Sequence, residues 1–252
     1  MKFKLFTTFS FVIVLLVSAV VHMPVSWVMQ QVPPVRGLEI EGLQGTLFEG
    51  RASNIRWQRQ NLGQVNWQLA PAKLLTGKAE FNVRFGRGSD LNVTGRGVVG
   101  YGLSGAYAEN VFASMPIAKL MDYSPMPLPV TLEGNLELSV PSYVWAMPYC
   151  QELDGRLTWQ SGAIGTPLGD IPPGLAMATL DCQSGSVKAQ ANQESDAIAS
   201  DWAVTLKPDQ RYELEGGFTP GAEFPETLRG QLGFVGRPDS NGRYPIKFTG
   251  RL

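Results

Sequence analysis

Histidine is almost missing from this chain: of 252 residues only His22 is one, and it lies at the end of an apolar stretch. No Ser-His-Asp or Cys-His arrangement can therefore be assembled in the rest of the chain, and no His-containing zinc triad. Cysteine is scarce too, with Cys150 and Cys182 alone. Two thiols without a downstream histidine cannot fill a tetrahedral zinc shell, so no metal site is expected. Charged residues make up only 17%, 21 Lys and Arg against 22 Asp and Glu, and no basic run interleaves with aromatics. A nucleic-acid partner loses its electrostatic basis. The stretches Gly86-Arg87-Gly88 and Gly95-Arg96-Gly97 lack the Walker Lys-Ser/Thr ending and read as turns or bulges, so no nucleotide cofactor is implied.

Charge is also absent from Leu5 to Met23, whose centre, Phe11 to Val17, is continuous Phe, Val, Ile and Leu. About nineteen residues at about 1.5 Å each reach roughly 28 Å, close to the hydrocarbon thickness of a bilayer. Lys2 and Lys4 precede this stretch and the next basic residue is Arg36, so the positive-inside bias holds the N-terminus in the cytoplasm. Pro24 is expected to stop the helix, with His22 and Trp27 at the membrane interface. The reading is a cytoplasmic tail at 1–4, a transmembrane signal-anchor helix at 5–28 and an exported domain at 29–252. A cleaved signal peptide is the alternative, since Val17-Ser18-Ala19 resembles a cleavage site, although the apolar run continues through Val20 and Val21. On the oxidising side Cys150 and Cys182 are expected to form a disulfide, with two free buried thiols as the alternative.

What the exported part has in quantity is glycine and proline, 28 and 18 residues, within a chain that is 44% apolar. This favours many short strands and turns over long helices. Period-two alternation dominates. Ala79, Phe81, Val83 and Phe85 share one parity, and Val130, Leu132, Leu136, Leu138 and Val140 share another such row. The same alternation runs through Leu153-Leu157-Trp159, Trp202-Val204-Leu206, Tyr212-Leu214-Phe218 and Leu228-Leu232-Phe234. Each segment thus has one apolar and one wet face, which suits antiparallel strands. Asn61-Leu62-Gly63 is expected to turn between Ile55/Trp57 and Val65/Trp67/Leu69. Pro238 to Gly242 is expected to form a hairpin between Leu232/Phe234 and Ile246/Phe248. Pro71 to Thr76 and Met115 to Met121 resist the strand reading and look like one or two helical turns. The expected fold is mainly β: a curved, mostly antiparallel sheet, an open groove or partly closed, with one or two short helices.

An apolar-x-Gly-x-apolar form recurs along the apolar parity, placing Gly45, Gly95, Gly134, Gly155, Gly216, Gly230 and Gly250 where a side chain should stand. Each such glycine costs about 1 kcal/mol of stability. One justification is packing: glycine leaves room for a large neighbour such as Trp57, Trp67 or Trp159, or lets the sheet curl. The other is a furrow of missing side chains able to hold a lipid tail or a partner's strand.

Carboxylates offer the only route to catalysis. Glu39 and Glu41, Glu133 and Glu137, and Glu213 and Glu215 share strand faces, but on the polar parity, where acids keep ordinary pKa values and make poor general acids. Asp239-Ser240-Asn241-Gly242 resembles the start of a calcium loop without its closing Glu and reads as a plain hairpin. No enzyme is expected. Six Trp and free strand edges point instead to protein partners.

The motif order resembles a known family. Gly42-Leu43-Gln44-Gly45-Thr46-Leu47-Phe48-Glu49-Gly50-Arg51-Ala52, then Val65-Asn66-Trp67-Gln68-Leu69-Ala70-Pro71, then Leu74-Leu75-Thr76-Gly77 are similar to protein N of the bacterial type II secretion system. The cysteine pair and the run from Pro238 to Gly250 are similar to that family as well. The resemblance spans essentially the whole chain. It implies an inner-membrane protein with a periplasmic domain, an accessory part of the machine that moves folded proteins across the outer membrane. Its implied partners are other components, such as the inner-membrane C component or the outer-membrane secretin. The family has no assigned catalytic residues to carry over. At the level of fold alone, the Gly-x-Leu strand style behind an anchor is also similar to AsmA-like envelope proteins, which makes lipid a second candidate partner.

Overall fold

A computed structural model describes residues 11, 15, 18–19, 21–31, 33, 35–58, 60–122 and 130–251. The expected tail at 1–4 lies outside them, as does much of the expected span at 5–28. Among the described residues no helix is long and apolar enough to cross a membrane. Pro24, as expected, lies just past the end of the helical residues 18–19 and 21. It forms an isolated bridge with Thr46 and serves as N-cap to a further short helix, Val25–Met29, whose Val25 is buried. Proline suits that place because the first helical N–H groups have no intrahelical partner.

Beyond it the described residues make a 14-stranded antiparallel sheet. Its strands are β1 (Leu38–Glu41), β2 (Gln44–Gly45), β3 (Glu49–Trp57), β4 (Gln60–Leu69), β5 (Ala79–Arg87), β6 (Thr94–Gly102) and β7 (Gly105–Pro116). They continue as β8 (Thr131–Val144), β9 (Glu152–Thr166), β10 (Gly169–Gln183), β11 (Ser186–Glu194), β12 (Ile198–Leu206), β13 (Arg211–Pro220) and β14 (Tyr244–Arg251). Strand order follows chain order, except that β1 and β2 both lie against β3. Such a meander follows from short connections, because an antiparallel neighbour needs only a tight turn. Between β10 and β11 the turn is Ser184-Gly185, both residues at positive φ, the geometry that matches strand twist in two-residue hairpins. The sheet is not closed. Its outermost strands, β1 and β14, do not pair with one another.

Register turns the alternation in the sequence into two continuous faces. One row crosses from β3 to β14 as Ala52, Val65, Phe85, Gly95, Ala113, Leu138, Leu157, Ala178, Ala191, Trp202, Gly216 and Ile246. Every member is apolar. The adjoining row, one residue along each strand, begins Arg51, Asn66, Arg84, Arg96 and is mostly polar. Consecutive strand residues point to opposite faces, so the sheet has one greasy side and one wet side.

Three sequence expectations need correction. Leu228-Leu232-Phe234 is not a strand: Glu226–Arg229 is helical and Leu232–Phe234 is a 3₁₀ turn. This segment folds over one end of the sheet, where Phe224 and Leu232 pack with Ile171 and Ala197. Leucines four apart satisfy a helix as well as a strand, and the apolar end of the sheet supplies a surface for them. Pro238 to Gly242 turns as expected but joins that segment to β14, not two strands. Finally, β3 ends at Trp57 and β4 starts at Gln60, so Asn61-Leu62-Gly63 lies within β4, where Gly63 at φ +82° faces Ile55 in a bulge. The two helical expectations fall close to Pro71–Leu74 and Ala118–Met121.

Candidate functional site

The glycines chosen from the sequence do not form one feature. Gly95, Gly216 and Gly250 stand directly across the ladder from Phe85, Trp202 and Tyr212. In each case the neighbour's ring covers the glycine so closely that a methyl group there would overlap it. Gly134, at φ +99°, has the Trp159 Nε1 and the carbonyl of Ser161 where a Cβ would go. Gly45, also at positive φ, lies against the backbone of Glu49 and Gly50. Gly155 meets the Leu180 side chain, 3.1 Å from where a Cβ would stand, and the Leu153 Cδ1 at 3.6 Å. Gly230 is off the sheet altogether, at the C-terminal end of the helix Glu226–Arg229. Rings laid across strand glycines restore contacts the glycine lacks, and they fill the space that an empty furrow would need.

Cys150 and Cys182 are joined, with 6.2 Å between Cα atoms. Cys150 sits in the connection after β8 and is 2% exposed; Cys182 is near the end of β10. The bridge thus ties the β8–β9 connection to the next hairpin. The Tyr143 hydroxyl, donating to the Tyr149 carbonyl, and the Gln151 N–H, donating to the Val144 carbonyl at 2.8 Å, fold that connection back on itself.

Of the carboxylates singled out from the sequence, three are held in ordinary surface ion pairs, Glu41 with Arg56 at 3.1 Å, Glu213 with Lys207 and Glu215 with Lys247, and Glu137 accepts from the Gln160 amide at 2.7 Å. The Lys247 hydrogen bond and charge hold the Glu215 carboxyl below its usual range, the opposite of what a general acid needs. Asp239 Oδ1 accepts from the backbone N–H groups of Asn241 (2.9 Å) and Arg243 (3.0 Å), which makes its loop a turn. Among the described residues no cluster of His, Cys, Asp and Glu could hold a metal ion.

One acid was missed. Glu80 is 6% exposed. It accepts the Tyr107 hydroxyl at 3.1 Å and pairs with Lys73 at 3.2 Å, while the Lys78 Nζ lies 5.2 Å from the centre of the Tyr107 ring. Burial, then the Glu80 hydrogen bond and charge, push the Tyr107 hydroxyl up to about 12. This network fastens the Pro71–Leu74 crossing to the sheet. A glutamate at an alternating polar position carries no sign in the sequence that a helix will cover it.

Two hollows adjoin on the wet face. The larger, about 950 Å³, runs from β2 to β7, and the smaller, about 540 Å³, from β5 to β9. Arg84, Arg96 and Phe112 border both. Of the tryptophans, Trp27, Trp57 and Trp145 are exposed, whereas Trp67, Trp159 and Trp202 are half-buried.

A family model described as type II secretion system protein N matches residues 36–247. The type II secretion system protein N of Vibrio cholerae is 40% identical over 239 residues, covering 95% of each chain. That of Aeromonas hydrophila is 32% identical over 255 residues and covers 100% of both, and that of Pectobacterium carotovorum is 26% identical over 221 residues, 88% of this chain and 87% of its own. No solved structure matches.

Proposed function

The chain belongs to the type II secretion system protein N family, and from that membership we propose that it is a non-catalytic accessory subunit of the secretion machinery. Its N-terminal segment, 5–28, anchors it in the inner membrane with residues 1–4 in the cytoplasm, and its sheet works in the periplasm. The work is protein contact, with the C component or the secretin as the partners the family implies. The observation that carries this reading is the family match itself, which covers nearly the whole sheet. An open sheet supports it physically: the free edges of β1 and β14 leave backbone N–H and C=O groups available to a partner's strand.

Affinity purification of the tagged full-length chain from native membranes tests the proposal. Secretion components are expected to co-purify. Recovery of none, together with normal export in a deletion strain, overturns it. Protease added to spheroplasts is expected to digest the sheet; a protected sheet refutes the periplasmic placement. The lipid-carrier alternative needs an empty apolar furrow, and the rings over Gly95, Gly216 and Gly250 weigh against one. Mass spectrometry of the gently extracted protein separates the two readings by whether a lipid is held in stoichiometric amount.

A further inference from the structure

The row Arg51, Asn66, Arg84, Arg96, Phe112, Ser139, Arg156 crosses the wet face from β3 to β9, each residue directly opposite the next. Arg84 and Arg96 are therefore cross-strand neighbours of like charge, an arrangement that destabilises a sheet. Among the described residues, ion pairs are made by Arg56, Arg211, Arg229 and Arg243, but no carboxylate lies within ion-pair distance of Arg84, Arg96 or Arg156. Arg51 is held by the neutral amide of Gln44 at 2.9 Å. Two acids border the hollows, Glu49 and Glu137, and Glu137 accepts instead from Gln160 at 2.7 Å. Phe112, with the Arg96 guanidinium 5.7 Å from its ring centre, is 46% exposed in the middle of the row.

From this juxtaposition we infer that the paired hollows are a docking groove for an acidic, extended polypeptide segment of a partner protein. Six strand spacings separate Arg51 from Arg156, about 29 Å, a length that about nine extended residues cover. A single small anion answers one guanidinium; a chain bearing several carboxylates answers all of them, each in the two-pronged geometry arginine favours. Asn66 and Asn82, at the larger hollow, offer amide donors and acceptors suited to peptide groups. Phe112 provides a central apolar anchor. An acyl chain has no such lodging here, because the apolar row faces the other side of the sheet. The inference rests on the reading that the sheet makes protein contacts, and it names the chemistry of one of them.

The probe is a fluorescein-labelled peptide of about twelve residues alternating glutamate and threonine, long enough for the row. Its binding to the full-length chain in a non-ionic detergent is read by anisotropy. Saturable binding that weakens with added salt is expected, and the same peptide with glutamine for glutamate is expected not to bind. The double variant R84Q/R96Q is expected to bind about tenfold or more weakly while melting at the wild-type temperature or above it, since a like-charge pair is removed. R156Q, which leaves that pair untouched, is expected to weaken binding as well. Equal binding by both variants, equal binding of the neutral peptide, or a lower melting temperature of R84Q/R96Q overturns the inference. So does displacement of the peptide by phosphatidylglycerol vesicles but not by unlabelled peptide, which assigns the arginines to a lipid surface. Secretion components that still co-purify when the peptide fails leave the secretion reading standing; their absence fails that reading whatever the peptide does.

Discussion

Replacing Gly216 by alanine adds one methyl group to the middle of β13, and the structure says what that methyl meets. It would overlap the Asp201 carbonyl oxygen and lie 2.5 Å from the Trp202 Cε3 and 2.9 Å from its Cδ2. The carbonyl belongs to the ladder between β12 and β13 and cannot give way by rotating, so the overpacking penalty falls near the upper part of about 1–3 kcal/mol. Relief of glycine's conformational freedom returns about 0.5–1 kcal/mol. The net loss is about 2 kcal/mol, or a melting temperature lower by about 4–8 °C in a chain of this size. Two companion variants calibrate the reasoning. Gly155→Ala meets side chains only, the Leu180 Cβ at 3.1 Å and Cδ1 at 3.3 Å and the Leu153 Cδ1 at 3.6 Å, contacts that a shift of a few tenths of an ångström relieves, so its two terms nearly cancel. Gly230→Ala meets nothing nearer than 3.9 Å in a right-handed helix cap and is expected to raise the melting temperature slightly. Circular dichroism of the detergent-solubilised chain gives the three midpoints. Gly216→Ala melting within about 1 °C of wild type, or all three variants behaving alike, would show that these glycines border empty space.

Further outcomes follow from the bridge and the ion pairs. Replacing Cys150 and Cys182 together by alanine opens a loop of about 33 residues, so the chain-entropy model gives a loss of about 3–4 kcal/mol; an unchanged denaturation midpoint would contradict it. The Arg243 guanidinium, bonded to Asp201 at 2.9 Å and 2.6 Å, holds that carboxyl below its usual range. A folded-state value below the unfolded one contributes stability at neutral pH that is lost as pH falls below about 4. Melting temperature is therefore expected to fall more steeply there in wild type than in R243Q. For Tyr107 the sign reverses: its hydroxyl rises from 10.0 to about 12, so its contribution is complete below pH 10 and disappears between 10 and 12. Y107F should flatten alkaline unfolding in that window and, with Glu80 left to Lys73 alone, cost about 1–3 kcal/mol; a steeper alkaline transition in Y107F refutes the assignment.

Alternation of apolar and polar residues within each segment was enough to identify β4, β5, β8, β9, β12, β13 and β14, because the pleat sends neighbours to opposite faces whatever the strand pairs with. The same local logic ruled out histidine-based chemistry and placed the cysteines where a bridge was the expectation. It faltered where the pattern was ambiguous or weak. Leu228 and Leu232 fit two periods, and only the covered end of the sheet made them helical. In β11 the repeated alanines Ala189 and Ala191 have little preference for strand, and in β10 Pro172-Pro173 argue against one; hairpin partners on both sides hold these segments in the sheet.

Which residues share a face is thus a property of short stretches of chain, set by backbone geometry and readable from composition and order. Which residues meet across strands is not. That Trp202 lies over Gly216, that Glu80 is buried beneath a helical crossing, and that Arg84 stands opposite Arg96 all depend on hairpin lengths and on bulges such as those at Gly63 and between Arg96 and Val98. A single inserted residue shifts every pairing beyond it, so those neighbours exist only once the whole ladder is laid down.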